Sequence, residues 1–141
     1  GVTVITSTAG DEALGLAVGS FFSVSLRPPL VGFCVGGQST SWPRIRQTGR
    51  FCANVLAEDQ EAVCRVFASS GGDKFRGLGW KPSSNGSPVL TDVLAWLDCD
   101  IEAELDAGDH QLVLGRVLEL DVARETGPLV FFRGGYAQLD H

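Results

Sequence analysis

Residue types that build metal sites are scarce in this sequence. It has two histidines, His110 and His141, and four cysteines without a Cys-x-x-Cys pair, namely Cys34, Cys52, Cys64 and Cys99. Structural zinc sites need four closely spaced ligands of these types, so the sequence predicts no metal site. The cysteines are expected to be small buried hydrophobic residues in a reducing compartment, which places the protein in the cytoplasm.

Common motifs of phosphate and nucleophile chemistry are also missing. No stretch matches G-x-S-x-G, G-x-x-x-x-G-K-[ST] or a strand-flanked G-x-G-x-x-G. The sequence therefore lacks the motifs that usually indicate an α/β-hydrolase, a P-loop protein or a dinucleotide-binding fold. A Ser-His-acid triad built on His110 stays open, because serines are plentiful, but nothing selects one. Glu102 and Glu104 are expected on one strand face as solvated carboxylates.

Long apolar runs and excess positive charge are absent as well. No run approaches the ~20 residues of a membrane-spanning helix. The net charge is −6, the wrong sign for a nucleic-acid surface, so neither membrane nor nucleic acid is an expected partner. The length and composition predict a single domain over residues 1–141. Because the sequence has no Met and opens on a strand-like run, we expect the native N-terminus to lie upstream.

Short strand-like runs separated by turns dominate what is present. Residues 42–48 predict a short helix, with Ser41 as its cap and Gly49 at its end. Residues 58–68 have helical spacing, with Ala62, Val63, Val66 and Phe67 on one face. Residues 73–88 are rich in Gly, Ser and Pro and predict a long surface excursion. Strands are predicted at residues 2–8, 14–20, 21–26, 30–35, 50–57, 93–105, 110–122 and 128–132.

The last long hairpin has the clearest pattern. From Val93 to Leu105 apolar residues alternate with largely polar ones, which predicts a strand with one buried face. Strands joined by short turns, with two or three short helices, indicate a mainly β fold, a closed antiparallel β-barrel.

Several stretches together resemble the flavin reductase-like family, the small FMN-binding split-barrel reductases. They are GLAVGSFFSVSLRPPLV at residues 15–31, STSW at 39–42, GRFCANVLA at 49–57, GDH at 108–110 and FRGGY at 132–136. Each is weak alone, but they occur in the family's order and span nearly the whole chain. The resemblance implies a Greek-key split β-barrel. The helix that usually precedes the family's first strand is not in this sequence.

The resemblance implies a site for FMN or FAD. A glycine-containing strand lets the backbone approach an isoalloxazine ring, and clustered hydroxyls suit a phosphate. Helix capping is the ordinary alternative for those hydroxyls. Arg44, Arg46 and Arg50 are either phosphate helpers or solvated surface residues. The implied flavin-binding residues are Leu14, Gly15, Leu16, Ala17, Gly19, Ser20, Cys34, Val35, Gly36, Ser39, Thr40, Ser41 and Phe67.

The resemblance also implies a nicotinamide site, for NADH or NADPH. Its residues are His110, Phe131, Phe132, Arg133, Gly134 and Tyr136. Hydride transfer requires positioning rather than an acid or base, so no catalytic residue is predicted. Two departures from the family bear on flavin affinity: Gly19 replaces an amide side chain, and the Gly36-Gly37 loop lacks a lysine.

Three functions follow in order of preference. The first is an NAD(P)H-dependent flavin reductase, acting as a homodimer, that supplies reduced flavin to a partner monooxygenase. The second is a flavin-binding or flavin-storing split barrel without catalysis, and the third is a β-barrel interaction domain without flavin. The apolar dimer contact is expected to involve Phe21, Phe22, Trp42 and Phe67.

Overall fold

The computed structural model describes residues 1–69, 72–132 and 135–138, with side chains described as far as residue 130. Two helices are described, α1 (Trp42–Thr48) and α2 (Glu61–Ala68). Among the described residues, no helix is long and apolar enough to cross a membrane. The strands are β1 (Thr3–Ala9), β2 (Glu12–Val18), β3 (Phe22–Leu26), β4 (Pro29–Gly36), β5 (Arg50–Val55), β6 (Trp80–Pro82), β7 (Pro88–Leu90), β8 (Ala95–Ala107), β9 (His110–Val122), β10 (Leu129–Phe132) and β11 (Gly135–Gln138).

Seven strands form one antiparallel sheet in the order β2-β1-β5-β8-β9-β4-β3. Two further antiparallel pairs, β6 with β7 and β10 with β11, complete the described strands. The mainly β, antiparallel prediction with short helices is therefore confirmed. The hydrogen bonds of the described strands leave β2 and β3 as the two ends of the sheet.

The buried side chains form one cluster on each face of this sheet. In the first, Phe33 meets both Trp42 and Phe51 edge to face, at centroid distances of 5.6 and 5.2 Å. The second lies under α2 and includes Leu56, Phe67 and Leu90. Three cysteines are buried, as predicted, and Cys34 is half-buried.

Helix α1 has its predicted bounds and ends at Gly49, whose φ of 77° is the left-handed conformation that glycine adopts without strain. Helix α2 starts three residues later than predicted, and its predicted face is wrong in part. Gln60 explains both differences, because its side chain accepts a hydrogen bond from the Ala57 amide (2.9 Å) and donates one to the Thr91 carbonyl (3.0 Å). The buried face therefore runs through Gln60, Cys64 and Phe67.

Two of the four residues of the predicted face lie outside it. Val66 is 43% exposed and Ala62 is exposed, whereas Val63 packs at the edge of the second cluster. The alternative spacing of Gln60, Cys64 and Phe67 is an i, i+4, i+7 pattern on one helix face. A buried glutamine in place of an apolar residue hid that pattern in the sequence.

The predicted surface excursion at residues 73–88 is wrong in its last part. Residues Ser87 to Leu90 are buried, and β7 docks on the sheet through a buried polar network. Thr6 donates to the Pro88 carbonyl (2.6 Å), and the Asn54 amide bonds both Pro88 (3.2 Å) and the Leu90 amide (2.9 Å). The Gly, Ser and Pro residues of this segment place its first part at the surface, but these side-chain hydrogen bonds hold its last residues against the sheet.

The predicted one-sided alternation of the long hairpin also fails near its tip. The pairing passes from Ile101–Gly115 to Ala103–Leu114, so Glu102 is an extra residue that reverses the faces beyond it. Leu105 is consequently 51% exposed. Glu104 turns to the core side, where its carboxylate accepts a hydrogen bond from the Trp42 indole (3.2 Å). Glu102 and Glu104 therefore do not share a solvated face.

The buried thiols make fold stability sensitive to alkaline pH. Burial raises the pKa of Cys99 from 9.0 to about 12, and it raises that of Cys52 further, with the neighbouring Asp98 carboxylate adding to both. Such groups stabilise the fold fully below pH 9 and lose that contribution as pH rises toward the folded-state pKa. We expect the free energy of unfolding to fall by about 1 kcal/mol per thiol between pH 8 and pH 10.

Urea unfolding at the two pH values measures this effect. The control is Cys99→Ala, which is less stable at pH 8 but has one titrating thiol fewer. Its loss of stability between the two pH values should be smaller than that of the unsubstituted protein. Equal losses in both proteins would contradict the assignment to Cys99.

Candidate functional site

A cleft with two lobes opens beside β2. The inner lobe, about 300 Å³, lies between β2 and the end of β4, and the outer lobe, about 700 Å³, lies over the β1–β2 turn. Thr40, Ser41 and Lys74 line both lobes, and we call these three residues the junction. The inner lobe is also lined by Leu16, Ala17, Val18, Cys34, Val35, Gly36, Gln38, Ser39, Phe67, Ala68 and Ser69. The outer lobe is also lined by Asp11, Glu12, Ala13, Leu14, Gly15, Arg44, Gly72, Asp73 and Phe75.

The sequence-predicted flavin residues lie along this cleft, except for Gly19 and Ser20. Gly19 follows β2 at an exposed position, where an added Cβ would meet nothing within 4 Å. The Ser20 hydroxyl accepts a hydrogen bond from the Cys34 amide (3.0 Å), so it holds the loop after β2 against β4 beside the inner lobe. Flavin contact at these positions stays a prediction.

The hydroxyl cluster before α1 divides into two roles. Ser39 accepts a hydrogen bond from the Trp42 amide (3.2 Å), which is the capping role. Ser41 occupies the N-cap position but makes no side-chain cap hydrogen bond. Capping therefore accounts for Ser39 and leaves the hydroxyls of Thr40 and Ser41 at the junction for a ligand.

Lys74 is the cleft residue that the sequence prediction missed. Its ammonium group lies 3.4 Å from the Phe67 carbonyl oxygen, and within the described part of the chain it forms no ion pair with a carboxylate. Partial burial lowers its pKa. Residue 74 lies in the segment predicted as surface, and the signal that could have located it is Phe75, an aromatic side chain that needs a packing partner.

Phe75 finds that partner in Phe67, which it meets edge to face at 5.1 Å. Both rings close over Gly15, where an added Cβ would lie 2.6 Å from Phe67 and 3.3 Å from Phe75. The resemblance implied that glycine on β2 lets the backbone approach a flavin. At Gly15 the space is filled by Phe67, so this glycine serves the packing of the cleft wall.

We expect Gly15→Ala to cost about 1–3 kcal/mol of folding free energy, because the Phe67 ring is buried and must shift. The matched control is Gly19→Ala, which adds the same methyl group in open space. Chemical denaturation of both variants measures the difference. If Gly15→Ala is as stable as Gly19→Ala, the ring is not held where the structure places it.

The three arginines considered above as phosphate contacts, Arg44, Arg46 and Arg50, have different surroundings. Arg44 lines the outer lobe and forms a bidentate ion pair with Glu12, at 2.9 and 2.5 Å, which lowers the pKa of Glu12 and raises that of Arg44. Arg46 pairs with Glu104 (3.3 Å). Arg50 donates to the Asn85 carbonyl (2.8 Å). Neither Arg46 nor Arg50 lines either lobe, so only Arg44 remains a phosphate candidate.

The predicted nicotinamide residues are described in part. His110 starts β9 directly opposite Gly36 of the inner lobe, and a Cβ added to Gly36 would lie 3.9 Å from its Nε2. Its Nδ1 lies 2.7 Å from the Asp109 carboxylate, and the imidazole lowers the pKa of that carboxyl. Hydrogen bonding at Nδ1 orients the ring with Nε2 toward Gly36.

The other predicted nicotinamide residues lie near the end of the chain. Phe131 and Phe132 belong to β10, and Phe131 pairs with Tyr136 of β11, but their side chains lie outside the described part. Arg133 and Gly134 also lie outside it. No group of three or more His, Cys, Asp and Glu side chains within the described ranges could hold a metal ion.

The fold and cleft define a class: an antiparallel β protein with a ligand-sized cleft whose centre carries hydroxyls and a cation. Residues 1–140 match the family described as Flavin reductase like domain, and the chain belongs to that family.

Three relatives illustrate the match. A protein named "Flavin reductase" from Pseudomonas putida is 51% identical over 137 residues, which cover 96% of this chain and 81% of that protein. The "Flavin-dependent monooxygenase, reductase subunit HsaB" of Rhodococcus jostii is 46% identical over 140 residues, covering 99% and 72%. The solved structure of the Streptomyces globisporus NADH:FAD oxidoreductase SgcE6, in complex with NAD and FAD fragments, superposes with a TM-score of 0.93 at 33% identity, covering 99% and 85%.

Proposed function

We propose that this protein is a flavin reductase that transfers a hydride from NADH or NADPH to FMN or FAD and supplies the reduced flavin to a monooxygenase component. The observation that carries the proposal is the junction, where Lys74 and two hydroxyl residues, Thr40 and Ser41, line both lobes of the cleft. A partly buried cation without a described carboxylate partner is stabilised by a bound anion. The names of the relatives support this function and not the flavin-storage alternative.

The residues of the cleft fit a flavin. Ala17 and Gly36 place no bulky side chain on the inner lobe, which leaves room for a flat ring system against β2 and β4. The junction supplies two hydroxyls and a cation for a phosphate. When bound, the flavin supplies the hydride acceptor. The inner-lobe residues would hold its ring, and the junction would hold its phosphate end.

The role of His110 in this function is to orient the nicotinamide. It lies at the Gly36 end of the inner lobe, and its contact with Asp109 fixes the imidazole orientation. A nicotinamide stacked on a flavin in the inner lobe would bring the two rings to the contact distance that hydride transfer requires. Phe131, Phe132, Arg133, Gly134 and Tyr136 are proposed to complete this subsite.

Fold closure and location are part of the same proposal. We infer that the sheet closes as a Greek-key split barrel, since its end strands β2 and β3 follow each other in the chain. We also infer a single domain over residues 1–141 and a cytoplasmic location, where the buried cysteines stay reduced.

A homodimer is proposed on an apolar face beside the inner lobe. Trp42 and Phe67, two of the residues expected at the contact, are 3% and 2% exposed and belong to the core. Exposed Phe22 and Val24 instead cover Gly32. The face continues across the sheet through Leu114, Leu112 and Leu105.

The proposed homodimer is tested by light scattering after gel filtration. The measured mass should be twice the chain mass, and a monomer at micromolar concentration would contradict the proposed homodimer.

The activity is tested by NADH and NADPH oxidation with each of FMN and FAD. We expect at least one of the four combinations to be oxidised well above the rate without protein, and only when flavin is added. A protein that binds flavin but leaves it oxidised under both nucleotides supports the storage alternative. Absence of both binding and turnover contradicts a flavin function altogether.

A further inference from the structure

The outer lobe, about 700 Å³, is larger than the inner lobe, about 300 Å³, in which the flavin ring is proposed to bind. If the inner lobe holds the ring and the junction holds the phosphate, FMN would end where the outer lobe begins. About 700 Å³ of cleft then remains, on the far side of Thr40, Ser41 and Lys74 from Gly36. A ligand that fills both lobes must continue past its first phosphate.

The charges of the outer lobe suit a second phosphate only close to the junction. Arg44 lines this lobe together with Thr40 and Ser41, and no other arginine lines it among the described residues. The remaining charged residues of the lobe are Asp11, Glu12 and Asp73, apart from Lys74 itself. Carboxylates repel a phosphate but accept hydrogen bonds from hydroxyl and amino groups, so the far part of the lobe suits a neutral nucleoside.

The Arg44 guanidinium is held at the rim and can exchange partners. Its bidentate contact with Glu12 is half-exposed on both sides, and exposed ion pairs of this kind contribute little net stability. A diphosphate at the junction offers an alternative bidentate partner for the same guanidinium. Phe75, half-buried in the lobe, adds an aromatic surface against which a purine can pack.

We propose that the outer lobe receives the adenosine monophosphate half of FAD, which makes FAD rather than FMN the preferred flavin of this protein. The proposal rests on the proposed flavin-reductase function and specifies its substrate. Lys74 and the two hydroxyls bind the phosphate that FMN and FAD share, and Arg44 binds the second phosphate that only FAD has.

Fluorescence titrations of the purified protein with FAD and with FMN test this assignment. We expect FAD to bind about tenfold or more tightly than FMN, the gain of one added charge-assisted contact. Arg44→Ala should remove most of that preference by weakening FAD and leaving FMN within about twofold. The matched control is Arg46→Ala, on the same helix but outside both lobes, which should keep the preference.

The other possible results contradict either the FAD assignment or the reductase function, and they distinguish between the two. Equal affinities for the two flavins, or an Arg44→Ala variant that weakens both equally, overturn the assignment and leave the reductase function standing. If Arg44→Ala raises KM for NADH or NADPH but not KM for FAD, the outer lobe belongs to the nicotinamide nucleotide and the assignment is wrong. If neither flavin binds the unsubstituted protein, the reductase function itself fails.

Discussion

Lys74→Met is expected to weaken flavin binding about tenfold or more while the protein stays folded. Lys74 is the cation at the junction, and a hydrogen bond to a charged group contributes about 1.5–3 kcal/mol. Its ammonium group donates a hydrogen bond to the Phe67 carbonyl (3.4 Å), and methionine keeps an unbranched side chain at this position without the charge. The loss should fall on FMN and FAD alike, because the phosphate at the junction is common to both. Flavin titration gives the two dissociation constants.

The matched control for this prediction is Lys81→Met. Lys81 is exposed on β6 and lines neither lobe, so its substitution removes one positive charge without touching the cleft. A general effect of net charge would weaken flavin binding in both variants by similar factors. Unchanged affinity in Lys74→Met would remove the observation on which the proposed function depends.

The largest loss of stability is expected from Asn54→Ala. The side chain is fully buried and bonds Val4, Thr6 and Pro88 through Nδ2, at 3.1–3.2 Å, and the Leu90 amide through Oδ1, at 2.9 Å. Alanine leaves the Leu90 amide and two carbonyls buried without this partner, at a cost of about 3 kcal/mol or more. Urea unfolding measures the loss. Because the network docks β7, we also expect faster proteolysis of residues 79–90.

Gln47→Ala serves as the control for Asn54→Ala. Gln47 carries the same amide group on the exposed face of α1, and its loss should change the free energy of unfolding by no more than about 0.5 kcal/mol. If Asn54→Ala proves as mild as this control, then β7 is held by its apolar side chains rather than by the network.

The eight predicted strands and α1 were predictable because their signals are local, whereas β6, β7 and β11 were not predicted. Alternation, Pro43 near the start of α1 and Gly49 at its end depend only on neighbouring residues, and the structure has them at nearly the predicted bounds. The register of α2 was not predictable in this way. It depends on the Gln60 side chain, which accepts a hydrogen bond from the Ala57 amide and donates one to the Thr91 carbonyl, and the second of these contacts spans 31 positions in sequence.

The same distinction between local signals and long-range contacts applies to the residues of the cleft. Its β2 and β4 walls and its hydroxyl cluster could be located from the sequence, because they lie in the stretches that resemble the family. Lys74 could not, since it reaches the cleft only when Phe75 packs on Phe67. The bulge at Glu102 was equally hidden, because an extra residue in one strand is defined by its partner strand.

Phe67 is part of both the cleft wall and the hydrophobic core, and this has a consequence for engineering the protein. Its ring lines the inner lobe, packs in the core under α2 and touches Phe75, which in turn meets Trp80 at 6.2 Å. Ligand fit and resistance to heat are therefore properties of the same few rings. Selection of variants for a new flavin or for higher thermal tolerance will change both traits together whenever it alters this row, whereas changes near His110 leave the row intact.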